Sequence, residues 1–364
     1  MSDKIYCSHC REEVSIDEVR YFNDEAYCPS CFDEVTVVCD HCGRRIHPRD
    51  NVGEDGFTLC SDCYDNHYVA CYRCDRLLRR DDAYYDEEED GYYCNDCFHR
   101  INGTRSIHDY CYKPEPIFYG NGRYIGVELE IDYGGKYNEN AEAILDVANE
   151  NNNYIYIKSD GSLEDGMEMV SHPMTLEYHM TSMPWKKVMD KALKLGYFSH
   201  KTSTCGLHCH VDRYSLGDTR EEQEITISKV LFIVEKFWDE FLRFSRRTQF
   251  QMDRWAARYG IKERPNHMLD NAKKSGLGRY ACVNLSNTDT IEFRMWRGTL
   301  KYNTFIATLQ MVDEICKAAF LPEEKLENMS WFNFIERIEH KELITYLKER
   351  QLYTNEPVES EEEV

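Results

Sequence analysis

Nowhere in this chain do apolar residues run on for the ~20 that a membrane-spanning helix needs, and its start, MSDKIYCSHC, lacks the apolar core of a secretory signal. Those two absences predict a soluble chain that stays in the cytoplasm and makes no membrane contact. Positive charge is also scarce: 44 Lys plus Arg stand against 66 Asp plus Glu, a formal charge of -22. Long-range attraction to phosphate backbones or anionic lipid is therefore disfavoured, while local basic sites stay open. There is no His-Glu-x-x-His element of the zinc hydrolases and no Walker phosphate loop. Gly120-Asn-Gly122 precedes a strand-like segment instead of following one.

What the chain does have in quantity is cysteine, seventeen residues of it in 364. In a reducing compartment these are poor material for a disulfide framework and good material for metal ligands wherever spacing allows. Twelve fall into six Cys-x-x-Cys pairs: Cys7/Cys10 with Cys28/Cys31, Cys39/Cys42 with Cys60/Cys63, and Cys71/Cys74 with Cys94/Cys97. Cys7, Cys39 and Cys71 recur every 32 residues, and the last pair slips by two because the acidic loop Asp86 to Asp90 is longer. A two-residue spacer lets both thiolates face one ion, and zinc takes four tetrahedral ligands, so six pairs predict three closed structural sites. A redox dithiol would be a lone pair beside a βαβ pattern, not six pairs in a repeat. Closed four-sulfur sites leave no open position for chemistry. Whether the pairs combine sequentially or interleave stays open at this point.

Each module has a first pair, an aromatic or aliphatic middle, an acidic or Gly turn (Asp24-Glu25, Asp55-Gly56, Asp90-Gly91) and a second pair followed by Phe32, Tyr64 or Phe98. That order predicts a zinc knuckle, a β-hairpin and a second knuckle entering a short helix, and it resembles LIM-type and related treble-clef modules. Residues 1–100 carry 11 Lys plus Arg against 24 Asp plus Glu, the wrong sign for gripping nucleic acid, so the array is assigned to partner or substrate contact. His9 and His41 lie inside first pairs and, with four cysteines per module, read as surface residues. The modules are expected at about 1–34, 35–66 and 67–104 of a domain ending near 110. A linker with Pro114 and Pro116 spans 111–117, a second domain runs from 118 to 350, and an acidic, disordered tail covers 351–364.

The second domain carries strands with an unusual polar face. In Tyr124-Ile-Gly-Val-Glu-Leu-Glu-Ile-Asp132, apolar Val127, Leu129 and Ile131 alternate with Glu128, Glu130 and Asp132. Three carboxylates about 6.7 Å apart on one strand face call for compensating cations. Gly206-Leu-His-Cys-His-Val-Asp212 puts His208, His210 and Asp212 opposite Leu207, Cys209 and Val211. Thr290-Ile-Glu-Phe-Arg-Met295 puts Glu292 and Arg294 opposite Ile291, Phe293 and Met295. A turn carrying Asp160 leads to a strand with Glu168 between Met167 and Met169. If these strands are neighbours, one sheet face gathers acids and imidazoles suited to Mg²⁺ or Mn²⁺ and substrate phosphates.

Four ordered motifs, Gly126-Val-Glu-Leu-Glu130, Asp160-Gly-Ser162 with Glu168, Gly206-Leu-His-Cys-His210 and Ile291-Glu-Phe-Arg294, carry a resemblance over about 115–320 to the glutamine synthetase and glutamate-cysteine ligase superfamily. Within it the chain most resembles amidoligases of phages and other mobile elements. The resemblance implies an α+β fold, with a largely antiparallel sheet bearing the active site on one face and helices on the other. It implies ATP and two Mg²⁺ or Mn²⁺ ions as cofactors. Glu128 and Glu130 would serve one ion each, with Asp160, Glu168, His208 and Glu292 as further ligands. His210 and Arg294 would act on the nucleotide phosphates as the catalytic pair. Asp160 stands where glutamine synthetases have Glu, and its shorter side chain would reach an ion through water. The remaining phosphate grip is not identified by motif; Arg279, by position, and then Arg297 are candidates.

The activity so implied is ATP-dependent joining of a carboxylate to an amine through an acyl phosphate, the substrate being a peptide, a protein side chain or a cell-wall precursor. For a phage protein the cytoplasm would be the host's. The alternatives are a non-catalytic zinc-binding adaptor and a two-metal phosphohydrolase. Ala141 to Ala148, Met183 to Leu195, Ile225 to Arg246 and Phe305 to Ala319 show helical apolar spacing, and Phe334 to Leu347 reads as terminal helices. Cys111, Cys205, Cys209, Cys282 and Cys316 have no paired spacing and are expected to be buried thiols.

Overall fold

Alternation of Val, Leu and Ile with acids in 124–131 demands a sheet with one dry face, and a computed structural model describing residues 5–87, 89–102 and 106–353 supplies it. The chain divides into two units, Met1–Thr104 and Arg105–Val364.

In the first unit, each first cysteine pair sits in a turn between two short strands. Cys7 N–H donates to Glu12 O and Arg11 N–H to Cys7 O, both at 2.9 Å, and the same two bonds recur for Cys39 with Arg44 and Gly43 and for Cys71 with Arg76 and Asp75. The closing residue has positive φ each time: Arg11 at 66°, Gly43 at 72°, Asp75 at 58°. Second pairs lie at helix starts: Cys28 caps Pro29–Val35, Cys60 caps Ser61–His67, and Cys94 precedes Asn95–Asn102. Between the pairs, Arg20–Phe22 with Glu25–Tyr27 and Tyr84–Asp86 with Gly91–Tyr93 form the expected hairpins. The middle module departs from this. Asn51 Oδ1 accepts from the amides of Gly53 (3.0 Å) and Leu59 (2.8 Å), so a side chain takes the donors that a second strand would use. A Cβ on Gly53 would lie 2.2 Å from Phe57 O, so this close loop needs glycine there. The apolar clusters are small, such as Cys7, Val14, Tyr27 and Cys31 in the first module. Cores of that size do not hold a chain of ~100 residues without metal or disulfide staples.

The second unit is built on a seven-stranded antiparallel sheet: β1 (Tyr124–Ile131), β2 (Ile155–Lys158), β3 (Met167–Ser171), β4 (Met174–Thr175), β5 (Gly206–Asp212), β6 (Val283–Asn284) and β7 (Thr290–Arg297). The order is β2-β3-β1-β5-β7-β6, with β4 pairing the start of β1. Val127, Leu129, Ile131, Leu207, Cys209, Ile291 and Phe293 point into one core with Trp185, Phe305 and Met311. Helix Tyr302–Ala318 is buried almost all round and forms the centre of that layer. Among the described residues, no helix is long and apolar enough to cross a membrane.

Three sequence expectations are corrected. The run 225–246 is two helices, Arg220–Lys236 and Trp238–Ser245, because Phe237 leaves helical backbone at φ -107°, ψ 36°. The boundary falls after Thr104, not near 118: His108 N–H donates to Ile157 O and Ser159 N–H to His108 O at the β2 edge, and Ile117 N–H donates to His172 Nδ1 just after β3, so the chain on both sides of the two prolines is bonded to the second unit. Cys111 is exposed, whereas Cys205, Cys209, Cys282 and Cys316 are buried. The acidic stretch Glu359 to Val364 lies outside the described residues.

A buried histidine makes this core sensitive to acid. His179 is fully buried; its Nε2–H donates to Ile125 O (2.8 Å) and its Nδ1 accepts from Trp185 Nε1 (3.0 Å), which fits only the neutral ring. Burial lowers its pKa to about 4, against the opposing bond to Ile125. An unfolded histidine titrates near ~6.5, so this stability is complete above that pH and is lost as the pH falls towards 4. Urea unfolding followed by tryptophan fluorescence is expected to show a loss between pH 7 and 4.5 that is larger by about 2 kcal/mol in wild type than in His179→Gln. Equal losses would show that His179 is not the group responsible.

Candidate functional site

Cross-strand register assembles the polar face residue by residue. Lys158 on β2 lies opposite Glu168 on β3, which lies opposite Glu130 on β1. Glu128 lies opposite His208 on β5, His210 opposite Glu292 on β7, and Glu292 opposite Asn284 on β6. Because directly opposed residues share a face, one side of the sheet gathers four glutamates, two histidines and a lysine.

The contacts fall into two groups. In the first, Glu128 lies between both imidazoles, 3.3 Å from His208 Nδ1 and 3.3 Å from His210 Nε2. Glu292 reaches the same rings at 3.5 and 3.9 Å, accepts from Arg294 Nη1 at 2.5 Å, and accepts from Asn284 Nδ2 at 2.8 Å. Glu128, His210 and Glu292 each offer a ligand atom within 4.8 Å of the others. In the second group, Lys158 Nζ is 3.1 Å from Glu168, with both side chains under a tenth exposed, and Glu130 accepts the Gly206 N–H. Asp160 sits on the turn after β2, half-buried, with Oδ1 accepting the Ser162 N–H at 2.6 Å.

Burying this many acids has visible electrostatic consequences. Burial raises Glu130, as does Asp160, against the pull of His208 and the Gly206 amide. Burial and then Glu128 raise Glu168 well above the carboxylate range even with Lys158 alongside. Glu128 goes the other way: burial opposes ionisation, but His210 and His208 hold it well below its usual range. His210 is raised in turn, since Glu128 outweighs its burial. Acids forced together in this way, against few cations, are what a site for divalent ions looks like when oxygen and imidazole donors converge. Both histidines reach both carboxylates, so the division into one metal-binding and one phosphate-binding histidine has no counterpart in their contacts.

Two acids read from the same strands serve the fold instead. Asp132 is fully buried and accepts from the amides of Tyr133 (2.9 Å), Glu164 (3.1 Å) and Asp165 (2.7 Å), tying the loop before β3 to the end of β1. Asp212 accepts from Tyr124 N and Ser215 N. Arg279 is exposed, with Nη1 3.3 Å from the Tyr110 hydroxyl, and Tyr110 in turn lies 5.6 Å under Lys158 Nζ, so Arg279 stands at the rim. Cys209 faces the core, and burial pushes its thiol up.

Three residues on or beside the face escaped sequence reading. Lys158 and Asn284 follow the period-2 phase of their strands, but those strands are too short to stand out. Arg247 follows a helical run and had no signal at all. Arg297 reaches the face by a register shift: Leu207 pairs with Trp296 but Cys209 pairs with Phe293, so β7 carries one extra residue, and Met295 and Trp296 both turn to the core.

The cysteines of the first unit form three groups, Cys7/Cys10/Cys28/Cys31, Cys39/Cys42/Cys60/Cys63 and Cys71/Cys74/Cys94/Cys97, so the pairs combine sequentially. Sulfurs of facing pairs stand 3.9 Å apart (Cys10 to Cys28), 3.9 Å (Cys42 to Cys60) and 3.8 Å (Cys74 to Cys94). Tetrahedral zinc with ~2.3 Å bonds separates sulfurs by about 3.8 Å. Against the effect of burial, the amides of Cys10, Cys28 and His9 lower the Cys7 thiol to about 6, which favours the ligating thiolate. His9 and His41 are exposed, and His41 stacks on His67 at 4.2 Å. No family model matches this chain, and no curated protein sequence matches it either.

Proposed function

We propose that the second unit is an ATP-dependent carboxylate-amine ligase with a glutamine synthetase-like fold, of the phage-type amidoligase class. The observation that carries the reading is the converging set Glu128, His210 and Glu292, with one ligand atom each inside 4.8 Å and Arg294 bonded to Glu292. Glu128, Glu130, Glu168, His208 and Glu292, with Asp160 from the turn, are the residues that would hold two Mg²⁺ or Mn²⁺ ions. When bound, such ions supply charge neutralisation for the nucleotide phosphates.

The chain's own groups complete the chemistry. Arg294 keeps a guanidinium at the edge of the acid cluster, raised in pKa chiefly by Glu292 against its burial, and so is placed to balance charge on a phosphoryl group passing to a substrate carboxylate. His210 Nε2 lies 3.3 Å from Glu128 at the same edge and is placed to reach the same oxygens. Glu130, Glu168 and Glu292 are all within a few per cent of full burial, so the floor of the site excludes the water that would hydrolyse an acyl phosphate before an amine arrives. The zinc-ready modules would serve substrate or partner contact, and their acidity suits a protein or peptide better than nucleic acid.

ADP release from ATP and Mg²⁺, with pooled carboxylates and amines, tests the proposal. Wild type is expected to release ADP only when both pools are present, and Glu130→Ala about a hundredfold more slowly or worse. Equal release by the two proteins would remove the acid face from the mechanism.

A further inference from the structure

Lys158 and Arg294 each have an acid within ion-pair distance, but the arginines at the Glu130 end of the face do not. Helix Trp238–Ser245 ends on Arg246 in left-handed backbone, φ 63°, and Thr248 caps the next helix, Gln249–Trp255, so Arg246 and Arg247 form the corner between them. Arg247 is only 8% exposed. Its Nη2 donates to Trp296 O at 3.2 Å, while its buried Nε makes no hydrogen bond. A Cβ built on Gly206 would come within 2.7 Å of His208 Nε2 and 2.8 Å of Arg247 Nη2, so imidazole and guanidinium converge over that glycine, whose amide binds Glu130.

Arg297, brought to this face by the register shift, donates to Arg246 O (3.3 Å) and Thr202 O (3.2 Å). Arg246 donates to Arg297 O (3.0 Å). The Nε atoms of Arg246 and Arg297 are buried without hydrogen-bond partners as well. Among the described residues, none of Arg246, Arg247 and Arg297 makes an ion pair. Carbonyl oxygens satisfy only some of the five donors on each guanidinium, and like charges withdrawn from water repel. Burial lowers Arg247 to about 10, with Arg294 and Arg297 pushing the same way against Glu130. A fork of N–H donors without a carboxylate is complementary to a planar or tetrahedral oxyanion.

We infer that Arg247 and Arg297 together bind an oxyanion, a carboxylate or a phosphoryl group, at the Glu130 and His208 end of the sheet face. The identity of its source rests on the ligase reading: either the terminal phosphate of the nucleotide or a second carboxylate carried by the acid substrate. In the second case the acid substrate is a dicarboxylate or an amino acid joined through its side chain.

Calorimetric titration of the zinc-loaded full chain, without Mg²⁺ or ATP, separates these sources. Inorganic phosphate and glutarate are titrated separately into wild type, Arg247→Gln and Arg297→Gln, with circular dichroism confirming the fold of each. One of the two anions is expected to bind wild type at one per chain and to bind both variants about tenfold or more weakly. Phosphate as the bound anion points to the nucleotide, glutarate to the acid substrate. Arg247→Lys keeps the charge without the fork and decides the matter if Arg247→Gln does not fold. Absence of saturable binding to wild type, or undiminished binding in folded variants, overturns the inference. Because the readout is binding, it is independent of turnover: anion binding without any ADP release would keep this site and sink the ligase.

Discussion

Glu128→Gln is expected to abolish Mn²⁺ binding at the acid face and to lower ADP release by about a thousandfold or more, while the protein stays folded. Glutamine has nearly the same volume, so the packing of β1 is undisturbed and only the charge goes. That charge is central: Glu128 is the one carboxylate 3.3 Å from both His208 and His210. Without it, Glu292 alone faces two imidazoles and Arg294, and a divalent ion loses a donor on which the convergence depends. The apoprotein is expected to lose some stability at neutral pH, because both imidazoles hold Glu128 well below its usual range and the amide gives up those pairings, while relief of Glu168 offsets part of the loss. Calorimetry with Mn²⁺, the ADP assay and urea unfolding supply the three readouts. Wild-type Mn²⁺ affinity in Glu128→Gln would remove Glu128 from the metal site, and destabilisation with metal affinity kept would make it a structural residue.

Much of this face is legible in the sequence because a strand has a period of two. Glu128 and Glu130, His208 and His210, Glu292 and Arg294 each repeat at that period beside apolar partners, so their shared side follows from alternation alone. The register that puts Glu128 opposite His208 and Glu130 opposite Glu168 does not follow, since pairing is settled by which apolar faces meet in the core. The same alternation misleads where a side chain is used locally. Asp132 has the right phase for the polar face, yet its oxygens are consumed by the amides of Tyr133, Glu164 and Asp165. The extra residue in β7 is invisible to any periodic reading, because Met295 and Trp296 are as apolar as either face of a buried strand would allow. Arg247 is hidden for a related reason: the break at Phe237 and the left-handed Arg246 are backbone events, and only after them does the side chain turn toward the sheet. In the first unit the reverse holds. Two-residue cysteine spacing is a short-range constraint, so the grouping of ligands needed almost nothing from tertiary structure beyond the choice between sequential and interleaved pairs.

Stripping metal from the first unit should have the largest effect on the fold. Elemental analysis of the purified chain is expected to give three zinc ions, and a strong chelator should unfold residues 5–102. Each four-thiolate site contributes roughly 10 kcal/mol or more of binding free energy that is also folding free energy, against clusters of only a few apolar side chains. The second unit has its own continuous core and should survive: all five tryptophans lie there, so their fluorescence should stay native while far-ultraviolet dichroism falls. Cys39→Ser should leave two ions and unfold the middle module, because each group draws its four ligands from one module, and should loosen the start of the third, whose Tyr68 and Leu77 pack in the middle cluster. Acid should mimic the chelator, since protons compete for thiolates. Within one group the shifts oppose each other, Cys7 lowered to about 6 by backbone amides against its burial and Cys31 pushed up to about 12 by Cys28 and burial, so the four thiols lose the ion to acid as a unit. One zinc or none would dissolve the reading of twelve cysteines as a repeat of closed sites. Three ions whose removal left the dichroism unchanged would keep the sites but show that they do not hold the unit together.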